Sequence, residues 1–395
     1  MTRILPINRR LLLGGLTAGI GLAYAGRVRG QTPGGRPKLV VIVARGAMDG
    51  LSVTVPHGDP DYARLRGALA VPAPGQTGGA LAMSEGFGLH PALTNLHRLH
   101  GAGQMRFAPA VAIPVRVRSH FDAQDVLENG GEGLRSQSDG WLNRALVAAG
   151  SGAPKGLSIG AQTPLILRGS AETSSWAPGG QVRADDRIAS LLQDLYVDDP
   201  VLGSSLARGL ETEALAMTMG EGSGPLRRND VAGLGQAVAR LMTGESGADV
   251  VALSVDGWDT HARQSGQLQT RLDGLDALIG GIETGLGAEW SRTVLVVATE
   301  FGRTVRANGT QGTDHGTASS LLLAGGAIRS GGPIGDWPTL AENRLFEGRD
   351  LAPTLDVRSV FKGVLRDHLG VDRAALDAAV FPGSGAEAPT LDGLV

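Results

Sequence analysis

Residues 38–51 read KLVVIVARGAMDGL, a short apolar, β-branched run that ends abruptly in Arg45, Gly46 and Asp49. An unbroken run of this length, without in-out alternation, is a strand buried on both faces. Four further runs read as parallel strands of the same kind: Met105–Ile113, Val250–Val255 (VVALSV), Thr293–Ala298 (TVLVVA) and Ser319–Ala324 (SSLLLA). Helical periodicity falls between and beyond them, over His90–Gly101, His120–Asn129, Gly140–Ala149, Asp186–Leu195, Asp230–Thr243, Gln264–Leu286 and Val357–Leu369. Strands alternating with helices predict an α/β fold, a doubly wound, mainly parallel sheet with helices on both faces. Residues 26–395 then form one domain. The stretch 169–228 lacks a strand rhythm and reads as an inserted cap or as a surface excursion of that domain.

Ligands of open α/β sheets bind beyond the carboxyl ends of the strands, so the residues after each run carry the functional information. Here they are acids and histidines. The first run leads to Asp49, VVALSV to Asp256-Gly257-Trp258-Asp259-Thr260-His261, and TVLVVA to Thr299-Glu300-Phe301-Gly302-Arg303, while Asp314-His315-Gly316 precedes the SSLLLA run. Asp49, Asp256, His261, Glu300, Asp314 and His315 make an oxygen-and-imidazole set suited to a divalent ion, Zn, Mn, Mg or Ca. Taken singly, an Asp before Gly is a turn residue and a lone His an ordinary surface group. Three acids at the same topological position on separate strands are harder to explain that way.

Ser119, in Arg118-Ser119-His120-Phe121-Asp122, stands at a helix start. It reads both as an N-cap completed by Asp122 and as a nucleophile whose alkoxide the helix terminus would stabilise. Arg45, Arg118 and Arg303 flank these motifs and could clamp an oxyanion. Trp141 and Trp258 read equally as packing or as substrate platforms.

The amino terminus reads as an export address. Arg9-Arg10 precede an uncharged stretch from Leu11 to Ala25, diluted by four glycines and shorter than the roughly 20 strongly apolar residues of a membrane span. Ala23-Tyr24-Ala25 has the form of a leader-peptidase site, so cleavage is expected after Ala25. Paired arginines point to the twin-arginine route and a periplasmic or extracellular destination. Losing Arg3, Arg9 and Arg10 and no acid moves the formal charge from -3 to -6, which argues against nucleic acid as a partner. With no cysteine in the chain, any metal must be held by His, Asp and Glu.

Together the motifs RGAMDGL (45–51), FGLHPAL (87–93), RSHFDAQD (118–125), GWLNRAL (140–146), DGWDTH (256–261), TEFGRTVRANGTQGTDHG (299–316) and FPG (381–383), behind the twin arginines, resemble the domain-of-unknown-function family 1501. That family is grouped with the alkaline phosphatase and sulfatase superfamily. The resemblance implies a metal site at the carboxyl edge of a central sheet. By it, Asp49 resembles a first-strand metal ligand, Ser119 the nucleophile, and Asp256 with His261 the paired ligands of one metal. Asp314-His315 and Glu300 would complete the set, and His90 of HPAL is a secondary candidate. The pattern departs at Glu300-Phe301, where the superfamily places an Asp-His pair, because Phe301 cannot bind a metal. The expectation is an exported metal-dependent hydrolase of phosphate or sulfate esters, acting on a small-molecule or glycan ester. The rival expectation is a non-catalytic binding module that works with a second exported protein encoded nearby.

Overall fold

Eight strands pair in the order β11-β5-β10-β9-β1-β8-β6-β7. They are β1 (Lys38–Arg45), β5 (Met105–Ala112), β6 (Gly156–Ile159), β7 (Thr173–Trp176), β8 (Val250–Asp256), β9 (Thr293–Ala298), β10 (Ser319–Ala324) and β11 (Leu355–Asp356). Three two-residue strands, β2 (Thr54–Val55), β3 (Leu81–Ala82) and β4 (Gly88–Leu89), form a small antiparallel sheet of their own. The computed structural model describes residues 35–178 and 230–395 except 151, 161 and 245, with scattered positions between 195 and 212. The leader expected over 1–25, the helix expected over Asp186–Leu195 apart from its last residue, and most of the segment 169–228 lie outside the described residues. Within that segment, Thr173–Trp176 is the edge strand β7, paired parallel with β6.

The sheet is wound on both faces, and β1 shows why its run has no polar alternation. Leu39, Val41 and Val43 pack on one face with helices α2 (His120–Asn129), α3 (Trp141–Ala148) and α6 (Val357–Val364). Val40, Ile42 and Ala44 pack on the other with α1 (Thr94–Gly101), α4 (Val231–Met242) and α5 (Gln264–Leu286). Both sets of alternate side chains are removed from water, so both must be apolar. Helix α1 begins at Thr94 instead of at His90 because Pro91 disfavours helical backbone at the residue before it. Trp141 and Trp258 are fully buried packing residues; the Trp141 ring stacks on Phe361 and its indole N–H donates to the Leu127 carbonyl.

One strand departs from the parallel expectation. β10 runs antiparallel to both its neighbours, β5 and β9. A parallel return to the sheet requires a crossover connection, usually a helix. Residues 299–318 contain none, and β10 re-enters from the edge at which β9 left. The excursion therefore lies at the carboxyl edge, beside the ends of β1 and β8, where Arg45 and Asp256 are register partners. No helix among the described residues is long and apolar enough to cross a membrane.

Candidate metal centre

Three segments meet at that edge. The turn after β8 brings Asp259 and His261, the start of α2 brings His120, and the excursion before β10 brings His315. One ligand atom each of His120, Asp259 and His315 lies within 4.8 Å of the others. His261 joins them, with Nε2 2.9 Å from Asp259 Oδ1 and 3.0 Å from His315 Nε2.

The turn after β8 depends on two glycines. Gly257 takes a left-handed φ of +94°, and Gly46 (φ +114°) faces it so closely that a Cβ would lie 2.6 Å from the Asp259 amide nitrogen. Beyond that turn the chain alternates: Trp258 and Thr260 are buried, Asp259 and His261 exposed. Residues i and i+2 thus point together at the site.

Two of the imidazoles, His315 and His120, are held by the nitrogen that faces away from Asp259. A carbonyl can only accept, so His315 donates Nδ1–H to the Arg118 carbonyl oxygen at 2.7 Å, which leaves the neutral ring's Nε2 lone pair facing Asp259 at 3.2 Å. His120 donates Nδ1–H to Glu300 Oε1 at 2.8 Å. Its Nε2 is buried without a hydrogen-bond partner, 3.4 Å from Asp259 Oδ2. An imidazole whose Nδ1–H is tied to a carboxylate or carbonyl, and whose Nε2 is free, is oriented as metal-ligating histidines are. The donor set and the orphaned His120 nitrogen both fit a divalent cation. Phe301 cannot ligate, but it stacks on His120 with ring centroids 5.0 Å apart and lies equally near His315, forming the apolar wall behind both rings.

The electrostatics follow from these contacts. The hydrogen bond to Glu300 raises the His120 pKa against the opposing effect of burial. Burial lowers that of His315, aided by the charge of His120 and opposed by the Arg118 carbonyl. Burial would raise the Asp259 carboxyl, but Arg303, whose Nη1 donates to Oδ1 at 2.7 Å, holds it below its ordinary value. Glu300 is likewise lowered, since hydrogen bonds from His120, Gln124 and the Gly46 amide outweigh its burial.

The residues expected from the sequence fall into separate places. His261 and His315 are in the cluster. Asp314 is at its margin, accepting from Asn308 at 3.1 Å, with Oδ1 3.7 Å from His261 Nδ1. Glu300 is an orienting group: Oε1 takes three donors and Oε2 accepts from Thr299 at 2.9 Å. Asp49 is 1% exposed and paired with the buried Arg66, and its Oδ2 also accepts from Ser52 and Gln264. Asp256 lies on neither group; it lines a neighbouring cleft. Ser119 caps α2, accepting from the Asp122 amide at 3.5 Å, and its side chain is exposed. The guanidinium of Arg118 is committed to Glu347 and Asp350, and that of Arg303 to Asp259 and Thr313. His90 accepts from the Ala92 amide at 3.2 Å, a local turn contact.

His120 and Asp259 of the cluster are not among the ligands expected from the sequence. Capping by Ser119 explained the first segment without using its histidine. Asp256, directly at the strand end, drew attention from Asp259; the in-out alternation of Trp258-Asp259-Thr260-His261 was the signal available.

An α/β protein with a cluster of imidazoles and a carboxylate at the carboxyl edge of its sheet is the class that fold and site define. The chain belongs to the family described as Protein of unknown function (DUF1501), which matches residues 36–380. Among curated proteins none matches. Among solved structures, a protein in the alkaline phosphatase superfamily from Vibrio parahaemolyticus is 10% identical at a TM-score of 0.37, covering 76% of this chain; the match spans 62% of that chain. The phosphonate monoester hydrolase of Agrobacterium radiobacter is 11% identical at 0.39, covering 85% of this chain and 74% of its own. A 2-O GAG sulfatase is 11% identical at 0.38, covering 90% and 73%. The fold class rests on the chain's own sheet order.

Proposed function

We propose that this chain is an exported, divalent-metal-dependent hydrolase of phosphate or sulfate esters, centred on His120, Asp259 and His315 with His261 beside them. The observation that carries the reading is the orientation of the rings: His120 and His315 each tie down Nδ1 and present Nε2 to one carboxylate. A divalent ion bound there would supply Lewis-acid stabilisation of the ester oxygens and a lowered pKa for coordinated water.

The protein's own groups have definable parts. Glu300 and the Arg118 carbonyl fix the imidazole tautomers, Arg303 keeps Asp259 ionised, and Phe301 excludes water from behind the rings. Ser119, exposed one residue before His120, is the candidate nucleophile, with a water as the alternative; either route ends in an alcohol and free phosphate or sulfate. Arg9-Arg10 and Ala23-Tyr24-Ala25 support twin-arginine export to the periplasm or beyond, with cleavage after Ala25.

Titration of chelated protein with Zn2+ and Mn2+ by calorimetry, followed by an aryl phosphate and aryl sulfate panel, tests the reading. Binding that is abolished in His120→Ala and His315→Ala, with metal-dependent cleavage of at least one ester, is expected. Protein that takes up no divalent ion and cleaves no member of the panel ends the proposal. Substituting Lys for both Arg9 and Arg10 is expected to trap precursor inside the cell.

A further inference from the structure

A cleft of about 470 Å3 opens beside the imidazole cluster. The two share a wall: Gln124, which lines the cleft, donates Nε2–H to Glu300 Oε1 at 3.0 Å, and Glu300 in turn orients His120.

The lining has a distinct chemistry. Ser254 and Asp256, alternate exposed residues at the end of β8, project on the same side. Among the described residues the Asp256 carboxylate has no hydrogen-bond or ion-pair partner. Phe121, in the first turn of α2, lines the cleft with its ring 89% exposed. Of the two arginines of the lining, Arg45 is ion-paired to the buried Glu128, and Arg168 donates Nε–H to the Thr163 carbonyl at 2.9 Å. Asp125, Glu128 and Asp256 outnumber Arg45 and Arg168, so the cleft holds no surplus positive charge for an anion.

A free carboxylate accepts two adjacent hydroxyls, a serine adds a further donor and acceptor, and an exposed ring offers a face for the C–H surface of a pyranose. We propose that this cleft is the subsite for an uncharged sugar, so that the substrate class is the phosphate or sulfate ester of a neutral saccharide. Asp256 and Ser254 bind its hydroxyls, Phe121 covers one face, and the ester group itself reaches the cluster. The assignment of an ester rests on the proposed hydrolase function; the binding of the sugar does not.

The test therefore has two arms on metal-loaded, full-length protein. In the first, saturation-transfer NMR with a panel of neutral disaccharides is expected to show binding that weakens at least tenfold in Asp256→Asn and in Phe121→Ala, and that Ser254→Trp, which fills the cleft, abolishes. Thermal melts confirm that each variant folds. Absence of binding by every disaccharide, or equal binding by wild type and all three variants, overturns the subsite. In the second, kcat/KM for a sugar phosphate or sulfate is expected to fall at least tenfold more in Asp256→Asn than kcat/KM for an aryl ester; parallel losses on both overturn it. Should no ester be cleaved, the hydrolase reading falls while the NMR arm still decides the subsite.

Discussion

Two carboxylates, Asp49 and Asp259, sit near the carboxyl edge of one sheet and are each met by an arginine, yet they are built for opposite purposes. Asp49 is sealed. Its Oδ2 is shared by Arg66, Ser52 and Gln264, and Arg66, also buried, donates to the Thr304 and Val305 carbonyls at 3.2 Å. Asp259 is 42% exposed, and besides Arg303 it faces three imidazoles whose ring nitrogens a cation can take over. The sealed carboxylate holds backbone in place, whereas the open one is free to exchange partners. They are linked, because Gln264 Oε1 accepts from Thr313, whose hydroxyl accepts from Arg303 Nε at 3.0 Å. The buried pair thereby braces the arginine that holds the exposed carboxylate.

The contrast is sharpest in stability. Arg66→Met leaves Asp49 buried and unpaired, and a loss of about 3–5 kcal/mol in urea-unfolding free energy is expected, whereas Asp259→Asn, which keeps an oxygen to accept from the buried Arg303 and whose own side chain is 42% exposed, is expected to cost less. Equal losses in the two variants would erase the distinction.

A second expectation concerns pH. Burial lowers the His90 pKa to about 4 from 6.5, and burial lowers that of His368 as well, its ring held against the Lys38 carbonyl. The unfolded chain therefore binds more protons than the folded one below pH 6.5, and stability falls as pH drops from there toward 4, by about 3 kcal/mol at most from His90. The raised pKa of His120 acts in the opposite sense, its contribution being present below 6.5 and lost as pH rises through the folded value. Unfolding curves at stepped pH are expected to flatten in His90→Asn; an unchanged slope assigns the dependence elsewhere.

Glu300→Gln tests the orienting group. Outer partners of ligating histidines typically contribute 10–100-fold in metal affinity, and a weakening of about that size is expected by calorimetry without loss of stoichiometry. Loss of a bound equivalent would make Glu300 a ligand instead. The smallest effect belongs to Ser119→Ala, expected to cost about 0.5 kcal/mol because its capping bond is long, 3.5 Å. The same variant separates cap from nucleophile: an intact ester-cleavage rate leaves the hydroxyl with the capping role alone.

Much of the fold was legible because it depends on periodicity. The central runs KLVVIVA and TVLVVA announce burial on both faces, and the strands they form lie within a residue of the expected bounds. β6 and β7 escaped because four residues such as Thr173–Trp176 at a sheet edge carry no sustained pattern. The reversal of β10 escaped because SSLLLA reads the same in either direction; only the helix-free connection before it decides polarity. At the site, residue types and neighbourhoods were legible, but membership was not. Asp256 and Asp259 are chemically identical and three residues apart, and the left-handed turn at Gly257 sends one to the cleft and the other to the imidazoles.

The sequence by itself determined that the chain folds as a doubly wound α/β sheet, that its polar chemistry gathers beyond the strand ends, and that any metal must find nitrogen and oxygen donors. Those properties follow from local pattern and composition, which tertiary contacts do not alter. Only the tertiary structure decided that Asp49 is sealed by Arg66, that Glu300 orients His120, and that His120, Asp259 and His315 converge. Convergence is a relation among residues 139 and 56 positions apart along the chain, and no local pattern encodes the distance between them.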